Sequence, residues 1–324
     1  MRNVSTRVSV QSARRRAGKA AAVALAASVV GTAVLAGCSS SSSSTQQPAS
    51  SSSSSSSAAG TSGANAQVAA LVPSAIKAKG AVTVAMDATY PPDEYIGSDG
   101  HTITGLDADL AQALGQAMGI KWNLVNASFD TIIPGLQSGK FDIGNSSFTD
   151  TKAREKVVNF VDYFQAGEGF YVKAGAPATF TGLDSLCGKT VAVESGTTEQ
   201  SDATTQAKAC TTAGKPTVTV QTYSTQNEAN LAVSSGRADA GFADSQVAAW
   251  IVKQSNGVFQ LSGSAFAVAP YGIAVPAASG LTPAVLAAMK AIMADGTYSS
   301  ILSKWGVTNG AITSSSVVVN GATS

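Results

Sequence analysis

The sequence predicts an α/β fold of two similar lobes, each a mostly parallel sheet flanked by helices, joined by two hinge strands. Three observations predict this fold. Apolar segments rich in β-branched residues alternate with helical patterns, which is typical of parallel sheets. The pattern S-G-[KR]-x-D-x-G occurs twice, in LQSGKFDIGNSS (136–147) and AVSSGRADAGFAD (232–244). Finally, the long helical pattern at 283–304 needs a sheet to cover, so we expect the chain to return to the first lobe.

The elements follow in order along the chain. Strands are predicted at 82–86, 121–126, 142–145, 190–193, 217–222, 240–243 and 271–275. Helices are predicted at 106–118, 130–137, 153–156, 199–209, 226–234, 244–254 and 283–304. In both copies of the repeated pattern, a glycine after the helix supplies a left-handed cap, and Lys140 or Arg237 faces the negative helix end. We therefore interpret Arg237 as a structural residue.

These elements divide the chain into lobes. We expect lobe 1 at 68–170, completed by 274–312, and lobe 2 at 171–273 including the hinge strands. The two crossing segments are predicted at 170–173 and 272–275. Residues 313–324 are predicted to be a flexible tail. Two sequential, independent domains are the alternative.

The N-terminal residues 1–37 have the basic, apolar and small-residue order of a secretory signal peptide. The apolar run ends in Leu35-Ala36-Gly37-Cys38, which resembles a bacterial lipobox and predicts lipidation of Cys38. An ordinary cleaved signal with an incidental cysteine is the alternative. The serine-rich stretch that follows, 38–67, has too little apolar surface to fold and predicts a disordered tether. Together these features predict a lipoprotein held at the outer face of the cell membrane.

Charge and cysteine content narrow the function further. Cleavage before Cys38 leaves 15 basic and 20 acidic residues, a net charge of −5 with no basic patch, which argues against nucleic-acid binding. The two remaining cysteines, Cys187 and Cys210, form an even pair in an exported protein and predict a disulfide. Two buried free thiols are the alternative.

The sequence lacks the common motifs for nucleophilic catalysis, metal binding and nucleotide binding. His101 is the one histidine, in the turn-rich stretch GSDGHTITG, so a Ser-His-Asp triad cannot be built around a second one. The sequence has no G-x-S-x-G elbow, no His/Cys cluster for zinc, no calcium loop and no phosphate-binding glycine loop. We predict a protein without cofactor or metal.

A binding site fits the remaining motifs better. In GNSSFTDTKAR (144–154), Arg154 follows a strand that ends in hydroxyl side chains. A guanidinium presents a planar fork that matches a carboxylate, and nearby hydroxyls and backbone N–H groups complete such a site. The hydroxyls are Ser146, Ser147 and Thr149. Pairing of Arg154 with Glu155 or Asp150 on a solvated face is the alternative.

The second lobe offers complementary groups. Thr197 and Thr198 lie between a strand and a helix, where they either bind an anion or cap the helix. Asp244 follows another strand, where it either binds an ammonium group or caps the next helix. An arginine, hydroxyls and an aspartate that converge from two lobes suit a zwitterion, which is the shape of a free amino acid.

The sequence resembles the solute-binding proteins of ABC transporters, in the polar amino acid group called family 3. The resemblance implies the type II periplasmic-binding-protein fold. The resemblance covers about residues 80–308. It rests on these stretches, in the family's order: ATYPPDEY, GLDADLAQALGQAMG, SFDTIIPGLQSGKFDI, SFTDTKAREKVVNFVDYF, VAVESGTTEQ, SSGRADAGFAD, YGIAVP and MADGTYSSILSKWGV.

The resemblance implies a role for each candidate residue. Arg154 binds the ligand's carboxylate with the hydroxyls of Ser146, Ser147, Thr149, Thr197 and Thr198. Asp244 takes the α-ammonium group. Tyr90 and Phe129 form aromatic walls, although core packing is the alternative for Phe129. Asp87 matches a carboxylate that contacts ligand side chains.

The chain departs from the family pattern in carrying extra acids, at Asp93, Glu94 and Glu168. They favour a cationic amino acid slightly, unless they are solvated loop charges. The implied function is binding of a free amino acid by a monomer and its delivery to an ABC permease driven by a separate ATPase. A secreted dehydratase-like enzyme acting on small carboxylates, with a pocket acid as general acid, is the alternative, and a sensor module is a third possibility.

Overall fold

The computed structural model describes residues 63–177 and 179–323. The predicted signal peptide, the lipidation of Cys38 and most of the tether lie outside the described residues. Within the described part of the chain, no helix has the length and apolar character needed to cross a membrane.

Strands and helices alternate through most of the described chain. The strands are β1 (Ala81–Met86), β2 (Thr89–Tyr90), β3 (Glu94–Ile96), β4 (Ile103–Thr104), β5 (Lys121–Asn126), β6 (Ile143–Gly144), β7 (Asn159–Lys173), β8 (Thr190–Glu194), β9 (Thr219–Tyr223), β10 (Ala240–Asp244) and β11 (Phe259–Val275). The helices are α1 (Ala66–Leu71), α2 (Ser74–Lys79), α3 (Leu106–Met118), α4 (Phe129–Gln137), α5 (Thr198–Thr212), α6 (Gln226–Ser234), α7 (Ser245–Gln254), α8 (Thr282–Ala294) and α9 (Thr297–Trp305). Short 3-10 turns lie at Arg154–Lys156, Leu183–Leu186, Ala277–Ser279, Thr308–Gly310 and Ser314–Ser316.

Two long strands join the two lobes into one sheet of order β5-β1-β6-β11-β7-β10-β8-β9. In lobe 1, β1 runs parallel to β5 and β6, and the end of β11 lies between β6 and β7. In lobe 2, β8 runs parallel to β9 and β10, and the end of β7 lies between β10 and β11. The long strands thus exchange central and edge positions between the lobes. The predicted α/β fold of two mostly parallel lobes is confirmed.

The crossing segments differ from their predicted positions. Residues 170–173 pair with β11, and the first two of them also with β10, inside lobe 2, while 272–275 pair with the start of β7 inside lobe 1. The passage between lobes lies between these ladders, at about 165–169 and 263–269, where bulges interrupt the pairing of β7 with β11. Gly167 permits the close approach there, because an added Cβ would stand 2.8 Å from the carbonyl oxygen of Phe266.

Helix α3 shows how the sequence builds the lobe 1 core. Its residues Leu106, Leu110, Leu114 and Met118 recur every four positions, on one helical face, and all are buried. The helix ends at Gly119, which has the left-handed φ of 68° that favours glycine. That apolar face packs in one core cluster with buried residues of the sheet and of α8 and α9.

The C-terminal helices α8 and α9 pack on α3 of lobe 1. Lys304 Nζ and Trp305 Nε1 donate to Asp109 Oδ2 on α3, at 2.6 and 2.7 Å. The single helix predicted at 283–304 is wrong in one respect, because the chain breaks at Asp295 and Gly296 into α8 and α9. Gly296 takes a left-handed φ of 85° at the break, which makes the two helices separate elements.

Residues 313–323 do not match the predicted flexible tail. They run along β7 at the edge of lobe 1, where Val161 and Val319 form an antiparallel bridge. Asp162 N donates to Val318 O at 3.1 Å and Asn320 N donates to Phe160 O at 3.0 Å. Val317 is buried in the core cluster. This segment satisfies backbone groups that an open strand edge leaves unpaired.

Lobe 2 contains the predicted disulfide, which is confirmed between Cys187 and Cys210 with a Cα–Cα distance of 5.6 Å. Cys210 lies on α5 and packs in a core with Phe170, Phe242 and Val193. The disulfide therefore fastens the start of β8 to the helix that covers the sheet.

Candidate functional site

The carboxyl ends of parallel strands from both lobes lie at a cleft between the lobes. Asp87 follows β1, Ser147 follows β6, Glu194 ends β8 and Asp244 ends β10. This is the edge at which α/β sheets place ligands. The cleft is narrow and is lined by Asp87, Tyr90, Glu94, Phe129, Ser147, Thr149, Arg154, Glu194, Thr197, Thr198, Glu199 and Asp244.

Arg154 opens a 3-10 turn and points into this cleft. Its Nη1 donates to Thr149 O at 2.7 Å, and its Nη2 donates to Gly196 O of lobe 2 at 2.9 Å. Its guanidinium carbon lies 5.5 Å from the ring centroid of Phe129 and equally far from that of Phe148. Among the described residues no carboxylate forms an ion pair with Arg154. The surface pair with Glu155 or Asp150 is therefore not formed, and Glu155 pairs with Lys152 instead.

The three hydroxyls before Arg154 separate into two roles. Ser147 and Thr149 line the cleft, and Thr149 Oγ1 lies 3.4 Å from Thr198 Oγ1 of the other lobe. Ser146 lies behind the lining. Its Oγ accepts from Asp87 N at 2.8 Å and donates to Glu94 Oε1 at 2.8 Å, so it supports two lining residues without facing the cavity.

In lobe 2, both threonines line the cleft and one of them also caps a helix. Thr197 Oγ1 accepts from Gln200 N at 3.2 Å, as an N-cap of α5 does, and donates to Glu194 O at 2.9 Å. Thr198 presents its hydroxyl towards Thr149.

Asp244 precedes α7 but does not cap it with its side chain. Its Oδ2 instead accepts from the hydroxyl of Tyr90, across the cleft, at 2.8 Å. Burial raises the pKa of Asp244 to about 7, although hydrogen bonds from Tyr271 and Tyr90 oppose the shift. The carboxyl group therefore faces the cavity, and none of the described residues forms an ion pair with it.

The lining is strongly acidic. Arg154 is the one cationic side chain among the described lining residues, and five carboxyl groups accompany it: Asp87, Glu94, Glu194, Glu199 and Asp244. Burial is the largest cause that raises the pKa of each of these five. A buried carboxyl group without a cation favours its neutral form, so this cleft holds more acid than its own residues neutralise.

The three extra acids noted in the sequence occupy different places. Glu94 lines the cleft. Asp93 lies behind it, where its Oδ2 accepts from Gln246 Nε2 at 2.8 Å and burial raises its pKa to about 7. Glu168 lines an adjoining cavity with Asp202, where burial and the neighbouring acids raise its pKa to about 10.

Sequence reasoning missed Glu194 and Glu199. Glu194 lies at the end of a predicted strand just before the motif G-T-T, and Asp244 lies at the end of another predicted strand. Because parallel strands end at the same edge of a sheet, the position of Glu194 at a strand end was the signal that could have identified it. Glu199 lies in the first turn of α5, where an acidic residue is ordinarily explained by the helix dipole. Within residues 63–177 and 179–323, no cluster of His, Cys, Asp or Glu is arranged to hold a metal ion.

The lobes are closed on one another in this structure. Besides the Arg154 and Tyr90 bonds, Ser195 Oγ donates to Asp130 Oδ2 at 3.1 Å and Gln226 N donates to Thr89 Oγ1 at 3.2 Å. Each of these bonds joins a residue of one lobe to a residue of the other.

Comparison with known proteins identifies the family to which this chain belongs. The model of the bacterial extracellular solute-binding proteins, family 3, matches residues 82–308. The chain belongs to this family. The arginine-binding protein ArgT of Corynebacterium glutamicum is 36% identical over 245 residues, which are 75% of this chain and 80% of that protein. The ABC transporter arginine-binding protein 1 of Escherichia coli is 32% identical over 230 residues, 69% of this chain and 90% of that protein.

A solved structure agrees with both relatives. An ancestral arginine-binding protein bound to glutamine is 35% identical and superposes with a TM-score of 0.65, covering 70% of this chain and 98% of its own. These relatives are binding proteins and not enzymes, and this chain is a solute-binding protein of the same family. The dehydratase-like alternative is therefore set aside.

Proposed function

We propose that this protein binds a cationic amino acid, with arginine the best fit, and delivers it to the membrane permease of an ABC importer. The observation that carries the proposal is the composition of the cleft: five buried carboxyl groups face one guanidinium. A ligand with net positive charge supplies the missing cation. The identity of the relatives supports the same choice, since two of them are arginine-binding proteins.

The carboxylate and the ammonium group that every free amino acid carries fit the polar groups that the two lobes contribute to the cleft. Its carboxylate would accept from Arg154, with Ser147, Thr149 and Thr198 as further donors. Its ammonium group would donate to Asp244, which forms no ion pair within the described part of the chain. The rings of Tyr90 and Phe129 would enclose the aliphatic part of the side chain. Asp87 would face the cationic end.

Charge explains why other ligand classes fit less well. A second carboxylate on the ligand would add to an acidic lining that has one cation. A neutral side chain would leave the carboxyl groups protonated or unpaired, which is costly in a buried site. A cationic side chain offsets that cost, so the free energy of binding should favour arginine, lysine and ornithine over glutamine and glutamate.

Closure links binding to transport. Because the ligand contacts both lobes only when they are closed, it shifts the population towards the closed form. The closed monomer would then dock on the permease, whose ATPase supplies the energy. Lipidation of Cys38 and the serine-rich tether would hold the folded part at the outer face of the membrane.

Isothermal titration calorimetry on the folded chain tests this proposal. The panel is arginine, lysine, ornithine, histidine, citrulline, glutamine and glutamate. Arginine should bind most tightly, and citrulline, which has nearly the same shape without the charge, should bind at least tenfold more weakly. A neutral or acidic amino acid that binds more tightly than every cationic one would overturn the proposal.

A further inference from the structure

Glu194 lines the cleft, but the proposed contacts of the ligand's carboxylate and ammonium groups do not involve it. It is the last residue of β8, it is 2% exposed, and its Oε1 has no hydrogen-bond partner among the described residues. Its carboxyl group lines the same cleft as that of Asp87, and each acid contributes to the pKa shift of the other. Asp87 belongs to lobe 1 and Glu194 to lobe 2, so the two acids meet across the cleft.

Asp87 accepts more hydrogen bonds than Glu194 does. Asp87 Oδ1 accepts from Thr89 N at 3.1 Å and from Thr89 Oγ1 at 2.7 Å, and its Oδ2 accepts from Phe129 N at 2.9 Å. Three donors stabilise the ionised form of Asp87. Glu194 receives no such donors from the described residues. A proton shared by the pair therefore belongs on Glu194, which can donate it to Asp87.

The surroundings of Glu194 favour the same assignment. Burial, then Asp87, Glu199 and Asp130, raise the pKa of Glu194, and all three neighbours are acids. The phenols of Tyr90 and Tyr171 also lie near it and are neutral at ordinary pH. Arg154 shares the cleft, but its donors Nη1 and Nη2 are directed to the carbonyl oxygens of Thr149 and Gly196.

We infer that Asp87 and Glu194 form a guanidinium subsite that spans the lobes, and that Glu194 loses its proton when the ligand's cationic side chain enters. This inference rests on the proposed function. The O–H bond of Glu194 breaks, its proton passes to the buffer, and no covalent bond to the ligand forms. The ligand's guanidinium brings one positive charge to the two acids, and the released proton takes one away. The lobes are then joined by a cation between two carboxylates.

Geometry gives this subsite a preference among cations. A guanidinium is planar and offers five N–H donors on different edges, so it can donate to two carboxylates on opposite sides at once. An ammonium group is compact and carries three donors. The subsite should therefore select arginine over lysine, and arginine binding should strengthen as pH rises and Glu194 ionises more readily.

Calorimetry in buffers of different ionisation enthalpy tests this inference. Arginine is titrated into wild-type protein at one neutral pH, in phosphate and in Tris, and the difference in heat reports the protons released. Wild type should release more protons with arginine than with citrulline, because both ligands bring an ammonium group to Asp244 but only arginine brings a cation to Glu194. Glu194→Gln should abolish this difference in proton release and weaken arginine binding at least tenfold, while citrulline affinity changes less than threefold.

The matched control is Glu228→Gln, an exposed acid of lobe 2 that should leave both quantities unchanged. Glu194→Asp keeps a carboxyl group and should restore part of the proton release. Equal proton release with arginine and with citrulline in wild type would overturn the inference and leave the proposed function intact. Equal proton release in wild type and Glu194→Gln would overturn it as well. Failure of wild type to bind any cationic amino acid would overturn the proposed function itself.

Discussion

Tyr90 and Asp244 exchange two hydrogen bonds across the cleft. The Tyr90 hydroxyl donates to Asp244 Oδ2 at 2.8 Å and accepts from Asp244 N at 3.0 Å. One phenol thus satisfies both a side-chain oxygen and a backbone N–H at the end of β10. The tyrosine of one lobe positions the residue proposed to bind the ligand's ammonium group in the other.

Tyr90→Phe should weaken ligand binding by about 1–2 kcal/mol, because it leaves the buried N–H of Asp244 without an acceptor. The ring remains, so the aromatic wall is kept. Calorimetric titration with arginine measures the loss. Tyr95→Phe is the matched control, since Tyr95 packs edge-on against Trp305 and is absent from the cleft lining. Equal affinities in Tyr90→Phe and wild type would contradict the proposed positioning.

Arg154→Ala should reduce affinity for every amino acid ligand by about 3 kcal/mol or more, which is more than a hundredfold in Kd. The reason is that the ligand's carboxylate loses its one cationic partner. Arg154→Lys should lose less, because the charge stays while the planar fork is lost. Arg237→Ala, at an exposed arginine of lobe 2, should bind like wild type. A loss confined to one ligand would argue against a role in gripping the shared carboxylate.

The ligand-free protein should become less stable as pH rises from about 4 to about 8. Burial raises the pKa of Asp93 and Asp244 to about 7, above the value of about 4 expected in the unfolded chain. The folded state then binds more protons than the unfolded state, so the contribution to stability is complete below pH 4 and is lost as pH passes 7. Urea unfolding at pH 5, 6, 7 and 8 measures the slope.

Two variations separate this effect from a general pH response. Asp93→Asn removes one of the titrating groups and should flatten the slope. Saturating arginine should flatten it too, because a bound cation stabilises the ionised acids. A free energy of unfolding that increases across this range without ligand would show that the buried acids do not control it.

Val317→Ala should destabilise the protein by about 2 kcal/mol, because it removes methyl groups from a packed core site. Val317 is 1% exposed, whereas the adjacent Val318 is 41% exposed and provides the control Val318→Ala. Urea unfolding compares the two variants. If both cost less than about 0.5 kcal/mol, the C-terminal segment contributes little to the stability of lobe 1.

The sequence predicted those parts of the fold and site that obey local rules. Strand and helix alternation, and the repeated helix-to-strand junction, indicated the two lobes. Arg154 and Asp244 stood out because each follows a strand and has few local explanations. The hydrogen bonds in the structure then decided between their alternatives, since Arg154 donates to Thr149 O and Gly196 O and Asp244 accepts from Tyr90.

The parts that were missed depend on distant contacts. Strand β7 is broken in the sequence by Gly167 and Gly169, and it forms one element because β11 and β10 pair with it. The segment after residue 312 is rich in serine, so its composition indicated disorder, while its order comes from backbone hydrogen bonds to β7. Glu194 lies at the end of a predicted strand, but its role depends on the closed lobes, which place it with Asp87 in the lining of one cleft.

The exchange of places between β7 and β11 also sets the order in which the two lobes can be completed along the chain. The sheet of lobe 2 needs β11 only at its edge, so its interior strands are all present once the chain reaches the end of β10. Lobe 1 needs β11 at its centre, between β6 and β7, and α8, α9 and the C-terminal segment around it. The lobe that begins first in the sequence is therefore the one completed last, because its first strands depend on elements near the end of the chain.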